Sequence, residues 1–542
     1  MAPGFPNADN NRPLTDVPIT RCWTAEITVC GATGDGVNTM ETFKRHLATD
    51  HLLVNLKGRV VSSGFVTILA QGVKFALTLA STMALARLLV PEDFGLVAMV
   101  LTVIGFLRVF KDAGLSTVTV QREGITHAQV SNLFWINAGL SCAAGLVVVA
   151  SAPAVAWFYR EPRLLAITLT LSVTFLLTGL TVQHMALLNR QMRFKAIAAI
   201  EISSMLASSS VGIGMAWLKG GYWSLVWSQL TLSVVGFLLT WLFCGWRPQL
   251  PTRNSGIRPL LSFGVNLSAS SFLYSLTNGA DSLLIGRFYG PGPVGLYSRA
   301  GAMIRRPLEQ LLSPISSVFL PALARIQAQP ERYRRTFLQA YEIIALPSFF
   351  FTGLILALAR PLTLVLLGPK WEQAAAIFGW LTLGMLFAPL ATTSSWLFES
   401  QGRGRDALLT SLFLSSVTLC SYVAGLPFGP IGIAFAASIS CVLILLPFVY
   451  HMAGRSGPVS TADLWRGFFR HLPVAAIVFV ATYSAHPLAM NFGPLIQLLI
   501  CAPIGLAAGM VFIFFYAPSR RTAVTLFEAV QEFRKGRNLS RV

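Results

Sequence analysis

Between Ser62 and Tyr516, apolar stretches of about twenty residues follow one another, each long enough as a helix to cross a hydrocarbon core roughly 30 Å thick. Fourteen such spans are read, at 62–86, 93–110, 130–152, 164–187, 196–217, 222–245, 260–285, 294–320, 338–359, 374–397, 407–426, 430–450, 472–489 and 493–516. The composition agrees: 54% of residues are hydrophobic, only 12% are charged, and the mean hydropathy is +0.64. So few charges cannot clothe a water-exposed surface. The fold class is therefore all-α integral membrane protein.

A net charge of +19 would suggest nucleic acid as the partner of a soluble protein, so the placement of the cations decides its meaning. With fourteen spans both termini lie on one side. On that topology, with Arg108 at the end of span 2 counted among the loop cations, 30 of the 41 Lys and Arg residues fall in the tails and in the loops that follow even-numbered spans, seven fall in the opposite loops, and four lie within spans. The positive-inside rule makes the cation-rich side cytoplasmic. Topology, with contact to anionic lipid headgroups, accounts for the basic balance, and no nucleic acid is required.

Residues 1–58, rich in Pro, Asn, Thr and Asp, read as a disordered cytoplasmic tail, with Met40 as an alternative start. Residues 59–246 hold spans 1–6 and residues 260–452 hold spans 7–12, separated by a polar cytoplasmic linker at 247–259. This is the arrangement of a transporter built from two six-helix repeats. Spans 13 and 14, in 470–516, form an appendix. Residues 517–542 form a basic amphipathic tail, with Ala523, Phe527, Val530 and Phe533 on one face, expected to lie along the inner membrane surface.

No loop between spans exceeds roughly twenty residues, which leaves no room for an extramembrane catalytic or nucleotide-binding domain. The seven cysteines show neither disulfide nor metal-ligand spacing, and no cofactor motif is present. Histidines such as His184, His127, His451 and His471 sit at span ends, and no two acids form a catalytic pair. The chain carries no candidate for catalysis.

Ionisable side chains at mid-membrane cost on the order of 2.5–3.5 kcal/mol on insertion scales, so the few present should face a wet cavity or a partner. In span 1, Thr67, Gln71, Lys74, Thr78 and Thr82 recur at spacings of three and four and share one stripe. Span 7 repeats the device with Asn266, Ser270, Thr277 and Asp281. Span 8 carries Arg299, Arg305, Arg306 and Glu309, with Pro307 and Pro314 as kink positions. Two readings stand. In one, Arg305 or Arg306 pairs with Glu309 a turn away and Arg299 snorkels to the headgroups. In the other, spans 1, 2, 7 and 8 surround a hydrated cavity in which Lys74, Arg299, Arg305 and Arg306, with Asp281 and Glu309 beside them, receive an anionic substrate such as a diphosphate. Glu201, in span 5, is expected to pair with a neighbour such as Lys195.

Several stretches carry a family resemblance: Leu85-Ala-Arg-Leu-Leu-Val-Pro-Glu-Asp-Phe-Gly95, Leu133-Phe-Trp-Ile-Asn-Ala-Gly-Leu140, Gly286-Arg-Phe-Tyr-Gly290 with Gly295-Leu-Tyr-Ser-Arg-Ala300, Phe319-Leu-Pro-Ala-Leu-Ala-Arg-Ile-Gln327 and Gly368-Pro-Lys-Trp371. In order and spacing, from about Gly58 to the end of span 14, they resemble the polysaccharide-transport family of bacterial Wzx-type flippases, most of all its colanic-acid and exopolysaccharide branch. The resemblance implies the multidrug/oligosaccharidyl-lipid/polysaccharide exporter superfamily, two lobes forming a V, and undecaprenyl-diphosphate-linked oligosaccharides flipped across the bacterial inner membrane. It implies as partners the lipid-linked oligosaccharide, membrane lipid, and the polymerase and glycosyltransferases of the same pathway. An antiporter of cationic drugs should line its cavity with acids, whereas cations outnumber acids on the presumed lining spans. A polysaccharide polymerase or ligase should carry a sizeable outer loop, and none is long enough.

The cation asymmetry predicts a topology. Fusion of a cytoplasm-active reporter to the C-terminus should give signal, and fusion of a periplasm-active reporter should not; the opposite pattern would break the fourteen-span count.

Overall fold

The computed structural model describes residues 56–108, 115–122, 124–252, 277 and 279–534, and among them there are helices and turns but no strand. The tail before residue 56, residues 253–276 with Asn266 and Ser270, and the end of the chain after Arg534 lie outside the described residues. The long helices are α1 Leu56–Leu88, α2 Pro91–Arg108, α3 His127–Tyr159, α4 Arg163–Gly179, α5 Phe194–Trp217 and α6 Trp223–Cys244 in the first half. In the second half they are α7, helical over 279–289, α8 Pro291–Arg325, α9 Pro330–Ala357, α10 Glu372–Ser400, α11 Gly404–Gly425 and α12 Gly429–Ser440, which runs through a π turn into Leu446–Gly454. Then come α13 Thr461–Ser484, α14 Pro494–Phe515 and α15 Ala517–Arg534.

Ten helical segments among the described residues are long and apolar enough to cross a membrane, and one of them, Gly404–Gly454, contains both α11 and α12. With α2, α7 and α8 the set is consistent with fourteen crossings; α2 and α8 carry charges such as Glu92, Asp93 and Arg299, and α7 is described only over 279–289. The expected boundaries need three corrections. Helix α3 runs on to Tyr159, where Arg160 adopts a left-handed conformation (φ 56°) and closes it. The span expected at 164–187 is two helices, because α4 stops at Gly179 and a second helix, Val182–Arg190, starts after Thr181. Helix α13 begins at Thr461, well before the expected 470. Its polar first turns hide it from hydropathy, but Ser460 and Asp463 form a reciprocal capping box that fixes its start.

Why the halves splay is visible in their apolar packing. At one end a single core joins both halves, with Phe94, Leu96 and Val100 of α2 packed with Ile285 of α7, Val294 and Tyr297 of α8, Trp371 and Ile433. At the opposite end, the cation-rich one, each half keeps its own core: Leu133, Phe134, Leu187 and Trp246 in the first, Tyr333, Phe337, Tyr341 and Tyr450 in the second. Two lobes that share a core at one end and not at the other form a V. Helices α13 and α14 add to the outside of the second lobe through Leu346, Leu354, Val474, Val478 and Cys501. Helix α15 docks beneath them, where the Thr522 hydroxyl donates to Glu342 Oε2 at 3.0 Å and Ser519 meets His471 at 3.3 Å. Glu342 also pairs with Arg470, so one carboxylate ties α9, α13 and α15 together.

Close helix contact needs small residues where backbones meet. At Gly353 on α9, an added Cβ would stand 2.3 Å from the carbonyl oxygen of Ala475 on α13. Gly353→Val should therefore prise α13 from α9 at a cost of about 1–3 kcal/mol. A lowered thermal midpoint and a smaller monodisperse fraction in detergent should follow, with Gly384→Val, where the added group meets open space, as the neutral control.

Candidate functional site

Between the lobes lies a cavity of about 1200 Å³. Its walls carry Lys74, Thr78, Ser81 and Thr82 of α1, Glu201, Ser204 and Ser208 of α5, Ser228, Gln229 and Ser233 of α6, Asp281 of α7, and Tyr297, Arg299 and Arg305 of α8. Of the stripe expected on span 1, Lys74, Thr78 and Thr82 face it, and Thr67 and Gln71 are not among its lining residues. Helices α1, α2, α7 and α8 line it as the sequence predicts. Helices α5 and α6 line it as well, which the sequence reading missed. The signal was present: Ser204 and Ser208, and Ser224 and Ser228, are spaced by four, and Ser208 bonds to Ser228 across the two helices at 2.8 Å.

The charges in this cavity are arranged in neighbouring pairs. Lys74 Nζ lies 2.7 Å from Glu201 Oε2, with the side chains 20% and 40% exposed, so water in the cavity reaches both. This corrects the expected partner of Glu201. Lys195 precedes it by six residues and so lies on a different helix face, whereas α1 packs directly along α5 and presents Lys74. On the other wall Asp281 is buried at 4% exposure, and its carboxylate accepts the backbone N–H of Ser282 at 2.6 Å. The same carboxylate accepts a hydrogen bond from Tyr297 and feels the positive charge of Arg305. The acid on which the charge of Arg305 acts is thus Asp281 of α7. Arg306 and Glu309 lie on α8, but their side chains are outside the described residues. Arg299 stacks its guanidinium 4.8 Å from the ring centroid of Phe94 on α2. Among the described residues no group of three His, Cys, Asp or Glu side chains could hold a metal.

One end of the cavity is shut by contacts between the lobes. Arg87 donates to the carbonyl of Val365 at 3.0 Å, Lys370 to that of Arg87 at 3.4 Å, and the Trp371 indole to that of Ala86 at 2.8 Å. Phe94 packs edge-on against Trp371 at 5.2 Å. Here the first turns of α2 and α8 also cross at Gly95 and Gly295. A Cβ on Gly95 would lie 1.7 Å from the carbonyl oxygen of Pro291, and one on Gly295 would lie 1.8 Å from that of Pro91. The contact is reciprocal, with Pro91–Gly95 and Pro291–Gly295 in equivalent places. At the rim, Arg163 bonds both Glu92, at 2.6 Å, and Glu161, at 2.8 Å, and its hydrogen bond holds the Glu161 carboxyl below the usual range.

The family described as "Polysaccharide biosynthesis protein" matches residues 84–376, more than half of the 542-residue chain. The chain belongs to this family. The expected Wzx-type resemblance is borne out by its relatives. The chain is 23% identical over 437 residues to the lipopolysaccharide biosynthesis protein WzxC of Escherichia coli K12, covering 79% of this chain and 88% of that one. It is 28% identical over 349 residues to the succinoglycan biosynthesis transport protein ExoT of Rhizobium meliloti, covering 63% and 69%. Its fold is similar to that of the lipid II flippase MurJ in an inward closed conformation, with a TM-score of 0.62 at 13% identity, covering 84% of this chain and 99% of that one. An inward-facing multidrug transporter of the MATE family and the exporter superfamily matches with a TM-score of 0.54, at 14% identity over 74% and 94%. The likeness is one of fold, and it agrees with the expected pair of helical lobes.

The Lys74–Glu201 pair yields a measurable coupling. Because water reaches both side chains, its net worth should be on the order of 1 kcal/mol or less. Lys74→Met and Glu201→Gln should each lower the thermal midpoint slightly, and the double variant should recover most of the loss. A double variant as unstable as the sum of the two singles would mean that the residues do not interact.

Proposed function

We propose that this protein carries anionic, lipid-linked oligosaccharides across the bacterial inner membrane, from the cytoplasmic to the outer leaflet, for exopolysaccharide or lipopolysaccharide assembly. The observation that carries this reading is the content of the cavity. It is larger than the roughly 300–1,000 Å³ of ordinary small-molecule sites. Three cations, Lys74, Arg299 and Arg305, face two acids, Glu201 and Asp281, and a broad wall of Ser, Thr and Gln side chains offers hydroxyls and an amide. Sugars exchange hydrogen bonds with water for hydrogen bonds with such a wall, while a diphosphate linker needs cations. Arg presents a planar fork that matches two phosphate oxygens at once. The names of WzxC and ExoT, one for lipopolysaccharide and one for transport of succinoglycan, agree with this class of cargo.

In operation, the V stands open toward the cation-rich side, which the positive-inside rule makes cytoplasmic. The diphosphate enters there and meets Arg305 and Lys74, each already beside a carboxylate. Asp281 and Glu201 keep the empty site close to neutral and are displaced as the anion arrives, so binding exchanges one partner for another without leaving a bare charge in low dielectric. The lobes then rock about the cavity to release the cargo on the other side. The protein acts without making or breaking a glycosidic bond, passing the cargo from glycosyltransferases to a polymerase. Export of cationic drugs fits less well, because both cavity acids already have cationic neighbours.

The test is polymer secretion against protein abundance. Arg305→Ala should cut secretion at least tenfold while membrane abundance stays within a factor of two, and Arg305→Lys should restore part of it by keeping the charge but not the fork. Secretion unchanged by Arg305→Ala at normal abundance would refute the anion-binding role. A lipid-linked sugar recovered with a new glycosidic bond after incubation with purified protein would place the chain among polymerases.

A further inference from the structure

The closure described above and the cavity share one residue. Arg299 lines the cavity, and its guanidinium lies over the ring of Phe94, which in turn packs against Trp371 of the opposing lobe. It stands four residues after Gly295, so the two occupy one face of α8, and Phe94 is the immediate neighbour of Gly95. The reciprocal glycine crossing and the Arg299 stack are therefore adjacent parts of one contact. A residue that touches both the cargo space and the closed end can communicate between them.

We propose that Arg299 is the positioning residue that couples the cavity's anion to the closed end: a diphosphate that takes its guanidinium draws it from Phe94 and releases the Gly95–Gly295 crossing. The inference rests on the transport reading above and extends it from binding to gating. The physical basis is competition. Charge-assisted, bidentate hydrogen bonds from a guanidinium to phosphate oxygens are stronger than its attraction to an aromatic face. Phe94 without Arg299 over it loses one of the groups that hold it beside Trp371. The glycine crossing has no side chains to interlock, and Cα–H···O contacts of this kind are individually weak. The crossing itself therefore adds little resistance to parting, and this end is held by the apolar packing around Phe94 and Trp371. By linkage the reverse holds too: a closed end that retains Arg299 on Phe94 weakens the anion's grip by the same factor. The lobes thus stay closed on this side until cargo is aboard, which prevents an empty protein from opening a polar path through the membrane.

The test measures the width of the closed end directly. Spin labels are placed at Val90→Cys and Gly292→Cys on a cysteine-free background. Val90 is exposed, and a Cβ on Gly292 meets open space, so neither label disturbs packing. Inter-label distance is measured by pulsed dipolar spectroscopy on the full chain in lipid nanodiscs, alone, with a polyprenyl diphosphate, and with the uncharged polyprenol. Binding of each lipid is followed separately by native mass spectrometry. The parent protein should give one short distance alone and with polyprenol, and a second, longer population with the diphosphate. Arg299→Gln should lose that response at saturating diphosphate, and Arg299→Lys should keep part of it. Gly95→Ala and Gly295→Ala should each show the longer distance without lipid, because each added methyl meets the opposing proline carbonyl.

If Arg299→Gln binds the diphosphate and opens as the parent does, the coupling role is overturned and the transport reading survives. Should the parent bind the diphosphate with no change in distance, the coupling is again overturned. If the parent binds neither lipid, the transport reading itself fails. Were both glycine variants lost as folded protein, the Arg299 pair alone decides, and a merely structural Arg299 would shift the lipid-free distance rather than abolish the response.

Discussion

A charged side chain in apolar surroundings must meet water or an opposite charge, and the interior of this protein is arranged around that requirement. Lys74 and Arg305 lie deep in a chain built of lipid-crossing helices, and each has a carboxylate from a neighbouring helix beside it, Glu201 and Asp281 respectively. The Lys74–Glu201 ion pair ties α1 to α5, so side chains that charge the cavity also hold part of its wall together. An apolar substitute would pack as well and would leave no reason for a cavity to be wet. The cost of keeping the charges is repaid in what they can hold.

The second consequence is mechanical. The lobes share an apolar core at one end and have separate cores at the other, so opening and closing need not disturb the inside of either lobe. Movement falls at the shared end, where the Gly95–Gly295 crossing, the side-chain hydrogen bonds to the Ala86 and Arg87 carbonyls and the apolar packing around Phe94 must exchange. Packed cores resist deformation, whereas thin contacts between them can exchange, which is how two rigid bodies come to have two arrangements. Helices α13 and α14 attach to the second lobe alone and stay clear of the joint.

Much of this was legible in the chain. Helix positions followed from apolar length, the cavity face of α1 from the recurrence of Lys74, Thr78 and Thr82, and the place of Asp281 from its stripe on the seventh span. Hydropathy failed where polarity was put to structural use: at the first turns of α13, which the Ser460–Asp463 capping box organises, and at the break after Gly179. The polar walls on α5 and α6 were written in serines at spacings of four. Small hydroxyl residues are common in membrane helices, though, and their pattern does not say whether they face a neighbour or a cavity. The repeated Pro91–Gly95 and Pro291–Gly295 lay in plain view, but five residues are too few to mark a repeat until both are seen to touch.

The sequence by itself determined that this is a many-helix membrane protein and which of its helices carry charge, because the energy of a side chain in lipid depends on that side chain and its position along one helix. Partnership was decided by tertiary structure alone. Glu201 was matched in sequence to Lys195, six residues away, and met Lys74 instead, 127 residues away. Charges pair through space, and in a bundle the nearest opposite charge is chosen by which helices lie side by side. That choice is made by the packing of whole lobes, and no local pattern records it.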